Sequence, residues 1–291
     1  MVLEHERLPT IADESWTALG NVAARAEETR RPAGLFSDPL AERFSAALAA
    51  PGQRDDRRKA ETWSGDLLDM IADTIIIKTR FLDEFLEQAS AAGCRQTVLL
   101  AAGLDTRAFR LPWPPGQRVF ELDLPGLLDF KEAVLADAGA RPTCERTVVR
   151  ADLRDDWPGA LLAAGFDPRR PTVWLAEGTL GFLTEEACDE LMTELGRLSA
   201  PGSRLGLDHT HDGEVHTDRV RPFVEQAGFH MADMVKGGPT LPADQWLTGH
   251  GWQVEGHDIV ERAAAYGRPT PYLFRGERSA HGRIFFTAER G

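Results

Sequence analysis

Three cysteines, Cys94, Cys144 and Cys188, are all that this 291-residue chain contains. Few, widely spaced and odd in number, they make no disulfide framework and match no metal-ligand spacing. Positive charge is also scarce: 33 lysines and arginines stand against 46 aspartates and glutamates, a net charge of −13. A chain of that sign repels phosphates, which argues against nucleic acid as a partner. No apolar run approaches membrane-spanning length, so no membrane partner is expected. The first residues do not join a basic stretch to an apolar core, and a cytoplasmic protein is expected. Repeats and low-complexity tracts are missing as well. What remains has the length for one large α/β domain with an added cap, or for two small domains.

Helical periodicity dominates the first 93 residues. Ser15 is placed to cap a helix running to about Thr29, and Asp38-Pro39 opens another with proline at the first helical position. Gly52 to Lys59 reads as a charged, solvated loop. From Asp66 to Gly93 the apolar set Leu67, Met70, Ile71, Ile75, Phe81, Leu82 and Phe85 predicts a long helix on a sheet, ended by Gly93. Beyond residue 95 strands and helices alternate. The strands expected are Gln96 to Ala101, Val119 to Leu122, Thr147 to Ala151, Thr172 to Ala176, Arg204 to Leu207, Gln253 to Gly256 and Arg283 to Ala288. They predict an α/β, Rossmann-like fold: a seven-stranded, mostly parallel sheet with helices on both faces. The last strand follows a short, turn-rich link, so it is expected to insert antiparallel. Residues 1–65 are assigned to an N-terminal helical cap and 66–291 to the main domain. An insertion of about 209–250 is expected to place helices over the active-site edge.

The most informative stretch is Val98 to Leu111, VLLAAGLDTRAFRL. A buried strand breaks there at Ala101-Ala102-Gly103, where the absence of a Cβ on glycine lets a ligand approach the backbone. A second strand then ends in acids, FELD, about 20 residues later, the pattern with which open α/β sheets hold a ribose. Alanine at position 101 departs from a strict glycine-rich signature, and the missing G-x-G-x-x-G argues against a nucleotide-cofactor oxidoreductase. The wording is more specific than the pattern. AGLDTRAFRL, FELDLPGLLDFK, ADLRDDW and AEGTLGFLTEE, with KTRFLDEFL and RAEETRRPAGLFSDPLAERF upstream, resemble the leucine carboxyl methyltransferase family of S-adenosylmethionine enzymes. The likeness spans most of the chain and leans to the bacterial small-molecule branch.

The resemblance implies S-adenosyl-L-methionine as cofactor, and each part of that molecule calls for its own partner. Glu121 is expected to accept the ribose hydroxyls, and Asp123, taken to face the other side of the strand, is the weaker candidate. Asp152 and Leu153 are expected at the adenine, although Asp152 could equally cap a helix. In the family an arginine in the helix before the first strand clamps the methionyl carboxylate, which points to Arg80; Arg25 could assist from the cap. Glu177 is placed to pair with the methionyl ammonium. Gly103 and Asp105 belong to the cofactor loop, whereas Arg107 could instead pair structurally with Asp105.

The acceptor is read as a hydroxyl or carboxylate on a small molecule, natural-product in type. A carboxylate needs no base, but a hydroxyl does unless it is an acidified phenol. His209 and His211, in the DHTH that follows the fifth strand, are the candidate catalytic residues, with Asp208 or a backbone carbonyl fixing the tautomer. A solvated loop, a substrate-shaping role and a hydrogen-bonded core histidine compete with that reading. His216 lies nearby, but the histidine spacing fits no standard zinc site and no metal is expected. Phe182 stands where the family commonly has tyrosine, which favours an apolar or aromatic small molecule over a protein carboxyl terminus. Trp16, Trp63, Trp113, Trp246 and Phe223 could line its pocket. A rival reading keeps the cofactor but not the transfer, as in a cyclase or a binding protein. Self-association is left open.

Overall fold

The computed structural model describes residues 17–49, 66–209, 236–276 and 283–291. Ser15, the Gly52 to Lys59 loop, His211, His216, Trp16, Trp63, Phe223 and most of the 209–250 insertion lie outside them. Seven strands form one sheet: β1 (Gln96–Leu100), β2 (Arg118–Asp123), β3 (Glu145–Arg150), β4 (Thr172–Ala176), β5 (Arg204–Asp208), β6 (Trp252–Asp258) and β7 (Arg283–Arg290). Their order across the sheet is β3-β2-β1-β4-β5-β7-β6. β7 slots between β5 and β6 and runs antiparallel to both, as its short link predicts.

Alternation along the strands builds two cores. Val98, Leu100, Phe120, Leu122, Trp174, Leu205 and Leu207 point to one face. There they meet helices α6 (Trp157–Ala163), α7 (Glu185–Arg197) and α8 (Ala243–Gly249). Leu99, Val119, Val173 and Leu175 point to the other, against α3 (Asp66–Ala91), α4 (Arg107–Arg110) and α9 (Ile259–Ala265). Both faces are therefore apolar, and the middle strands β1 and β4 are buried along their whole length. Long α3 lies close enough to the sheet that Gly206 in β5 is obligatory: a Cβ there would stand 2.6 Å from the Phe85 ring.

Among the described residues, two helices precede α3, namely α1 (Thr17–Arg30) and α2 (Pro39–Ala49). Asp38 caps α2 by accepting the Ala41 N–H, and Pro39 takes the first helical position. Val22, Ala41 and Phe44 from this pair pack with Leu104 and with Leu127, Phe130 and Val134 of α5 (Pro125–Asp137). The described part of the insertion behaves in two ways. α8 buries Trp246 and Leu247 in the first core, on the sheet face rather than over its edge. The segment before it reaches the edge, where Lys236 N–H and Gly238 N–H bond the carbonyls of Gly181 and Leu183 beyond β4.

Candidate active site

Parallel strands bring their carboxyl ends to one edge, and the loops leaving β1, β2, β3, β4 and β5 carry the polar residues singled out above. After β1 the chain turns through Ala101 and Gly103 with φ of +48° and +46°. This left-handed conformation is open to glycine, and for alanine it carries a steric cost. The Ala102 N–H bonds the Leu122 carbonyl at 2.9 Å, so the turn is seated on the end of β2. The Gly103 N–H donates to Asp123 Oδ2 at 2.6 Å, and the Leu124 N–H donates to Asp123 Oδ1 at 2.6 Å. Burial pushes the Asp123 carboxyl up against the pull of those two N–H groups, and the Asp152 carboxylate adds to the rise.

Glu121 is not at this edge, contrary to expectation. It is wholly buried, and its Oε2 lies 2.7 Å from both Lys131 Nζ of α5 and Arg146 Nη2 of β3. Residues two apart share a face of a strand, so assigning Asp123 to the other face was also incorrect. Depth separates them: Glu121 lies one pleat further into the sheet, where Lys131 and Arg146 take its charge. Asp123 occupies the strand end expected of a ribose ligand.

Asp152 follows β3 and accepts both the N–H and the guanidinium of Arg154, which holds its carboxyl below the usual range. It caps no helix. Asp156 does that for α6, accepting the Gly159 N–H. Leu153 packs part-buried against the first core.

Arg107 organises the centre. It is 1% exposed, with Nη1 2.5 Å from Asp105 Oδ2 and 2.7 Å from Glu177 Oε2, and Nε 2.7 Å from Asp83 Oδ1. Burial alone would raise the Asp105 carboxyl, but Arg107, with Lys131 and Arg25, holds it down at about 2. Glu177 obeys the same balance: burial raises it, Arg107 and Lys78 overcome that, and it stays ionised. The structural pairing of Arg107 with Asp105 is present and extends to two more carboxylates.

Arg80 is absent from this group. Two residues amount to about 200° around a helix, so Lys78 and Arg80 face opposite ways from α3. Arg80 pairs with Glu84 at 2.8 Å, whose other oxygen accepts the Tyr266 hydroxyl. Lys78 instead enters the site, its Nζ 3.3 Å from Asp208 Oδ2 and 3.6 Å from Glu177 Oε1. Burial would lower that ammonium, but the two carboxylates raise it further, so it remains a cation. The position was legible only as a second basic residue in KTR. Asp208 was foreseen only as a tautomer anchor for histidine. Its oxygens are instead committed to the Gly178 N–H at 2.6 Å and to Lys78.

His209 is 6% exposed at the end of β5, its N–H bonded to the Ile284 carbonyl. Its ring packs so tightly on Gly238 that a Cβ there would stand 3.0 Å from Cε1. Trp113 and Trp246 are core residues, their indole N–H groups bonded to the Arg107 carbonyl and to Asp189. Phe182 is 39% exposed on the short helical turn that follows Gly178. Among the described residues no cluster of histidine, cysteine and acids could hold a metal, and no helix is long and apolar enough to cross a membrane.

Comparison with known proteins agrees with this geometry. Residues 18–196 match the family model described as leucine carboxyl methyltransferase. A provisionally named S-adenosyl-L-methionine-dependent methyltransferase of Streptomyces avermitilis is 45% identical over 268 residues, covering 87% of this chain and 88% of that protein. One from Frankia alni, named in the same way, is 47% identical over 254 residues and 87% of each chain. Among solved structures, a provisionally assigned methyltransferase of Thermobifida fusca superposes with a TM-score of 0.56 at 16% identity, over 100% of this chain and 99% of that one. S-adenosyl-L-methionine is the cofactor these relatives are named for. An open glycine turn beside a strand-end carboxylate, with a buried cation and acids at the neighbouring strand ends, supplies donors and acceptors of the kinds this molecule needs. The chain belongs to the leucine carboxyl methyltransferase family of S-adenosyl-L-methionine-dependent methyltransferases.

Proposed function

We propose that the enzyme transfers a methyl group to an oxygen, hydroxyl or carboxylate, of a small aromatic or polyketide-type molecule. In this reading it is a cytoplasmic enzyme of natural-product metabolism whose partners are small molecules rather than nucleic acid or membrane. The observation that carries it is the row of carboxylates along one sheet edge, Asp123, Asp152, Glu177 and Asp208, with the buried ammonium of Lys78 beside Glu177 and Asp208.

Bound S-adenosyl-L-methionine supplies an electrophilic methyl group on a sulfonium. Asp123 has used two of its roughly four lone-pair directions on N–H groups, which leaves two for a ribose diol. Asp152 accepts the adenine amine and Leu153 flanks the ring. Lys78 attracts the methionyl carboxylate, and Glu177, kept ionised by Arg107, attracts the ammonium. Transfer in line needs the acceptor held against the methyl group with water excluded. A carboxylate acceptor requires nothing more. For a hydroxyl acceptor, His209 would take the hydroxyl proton, and the bound cofactor would supply the methyl group. Phe182 presents an apolar face to the acceptor, and its lack of a hydroxyl disfavours a peptide carboxyl terminus.

The test is product analysis with a panel of phenolic and carboxylic acceptors, repeated with His209→Ala. A hydroxyl acceptor with His209 as base predicts a loss of turnover of roughly 10² to 10⁴, with S-adenosylhomocysteine affinity unchanged. A small loss, with activity flat through the imidazole range, assigns the acceptor as a carboxylate. Tight cofactor binding without methylation of any oxygen acceptor would refute the proposal.

A further inference from the structure

The N-terminal helices reach the loop after β1 through one fully buried carboxylate. Asp38 Oδ1 caps α2, while Oδ2 accepts the Thr106 hydroxyl at 2.6 Å. Thr106 is the residue that follows Asp105 and precedes α4. The guanidinium groups of Arg25 and Arg110 flank the same oxygen at 3.4 and 3.8 Å. Arg25 also donates to the Leu104 carbonyl at 2.7 Å, and the Leu104 side chain is buried among Val22, Phe44 and Leu127. Leu104 and Thr106 are thus both gripped from the N-terminal helices.

The grip has a physical reason. The loop holds Ala101 in a left-handed conformation, and a non-glycine residue stays there only when its surroundings over-determine it. On the other side, Ala102 N–H on the Leu122 carbonyl and Gly103 N–H on Asp123 hold the start of the turn, which leaves Leu104 and Thr106 to the N-terminal helices. We propose that Asp38 is a positioning residue for cofactor binding: through Thr106 it holds the Gly103–Asp105 turn in its binding geometry. The N-terminal helices are thereby part of the cofactor site without touching the cofactor through Asp38. This rests on the reading of that turn as the cofactor loop.

The experiment is calorimetry with S-adenosylhomocysteine on wild type, Asp38→Ala, Thr106→Val, the double variant and Thr106→Ser, each at a temperature where melting shows it folded. Asp38→Ala and Thr106→Val should each weaken binding about tenfold, as loss of one charge-assisted hydrogen bond would. The double variant should be no worse than Asp38→Ala, which already removes the contact that Thr106→Val breaks, and Thr106→Ser should restore affinity. If Asp38→Ala does not fold, Thr106→Val against Thr106→Ser carries the test alone. Lowered melting temperatures with wild-type affinity would overturn the proposal and leave Asp38 a structural residue. A wild type that itself fails to bind S-adenosylhomocysteine would bring down the cofactor-loop reading, and this proposal with it.

Discussion

Replacing Asp123 by alanine removes a carboxylate that sits at the end of β2, ties down the Gly103 N–H and is placed for a ribose diol. A hydrogen bond to a charged group is worth about 1.5 to 3 kcal/mol, so affinity for S-adenosylhomocysteine should fall roughly tenfold to a hundredfold. Glu121 gives the contrasting case from the same strand face. Glu121→Gln leaves Lys131 and Arg146 buried with one countercharge fewer, since only Glu132 remains on Arg146. Breaking a buried ion pair from one side costs about 3 to 5 kcal/mol. At about 2 to 4 °C per kcal/mol for a chain of this size, melting should drop on the order of 10 °C. The two variants therefore separate in two assays: Asp123→Ala loses cofactor affinity with modest loss of stability, and Glu121→Gln the reverse. Calorimetry is run below the melting point of both. If Glu121→Gln lost affinity while folded and Asp123→Ala kept it, the ribose assignment would return to Glu121.

Two further predictions concern the same edge. Ala101→Gly should raise stability by about 1 kcal/mol, because glycine takes φ near +48° without the clash of a Cβ; an unchanged melting temperature would show that the turn is not strained there. Asp105, held at about 2 against an ordinary 3.8, contributes stability that is complete above about pH 4 and is lost as pH falls towards 2. Urea titrations of wild type and Asp105→Asn across that window should therefore converge at the acid end, and a constant gap between them would show that Asp105 does not titrate there.

All seven strands lie within two residues of where pattern places them, and the reason is local. Apolar runs such as Val98-Leu99-Leu100 and Val173-Trp174-Leu175 have one stable fate in a chain this long, between two helical layers. The helix opening at Asp38-Pro39 was equally plain, since a cap acts on its own first turn. Glu177 could be placed at the sheet edge because it directly follows β4, and Gly103 and Asp105 because they lie in the turn that leaves β1.

The two misplacements, Glu121 and Arg80, have a different origin. Asp123 was set aside on a mistaken strand alternation and Lys78 was not considered, and in each case tertiary packing separates two chemically similar residues two positions apart. On β2 the choice is made by Lys131, on a later helix, and by Arg146, which lies on β3 opposite Val119. Their charges claim the acid that lies deeper in the sheet, leaving the shallower one at the strand end. On α3 the choice is rotational. The stripe of Ile77, Phe81, Leu82 and Phe85 must face the sheet, and that orientation swings Lys78 towards Asp208 and Glu177 while it leaves Arg80 away from them, paired with Glu84 one turn along the same helix. Arginine is the better chemical match for a carboxylate, with its planar fork, and chemistry alone therefore favoured Arg80. Packing outweighs that preference. Rotating a 26-residue helix by about half a turn to bring Arg80 inward would expose a whole apolar stripe, and no single ion pair could compensate for it. The cation at this edge is therefore the residue that the hydrophobic phase of the helix delivers, and its partners Glu177 and Asp208 are the strand-end acids it meets there.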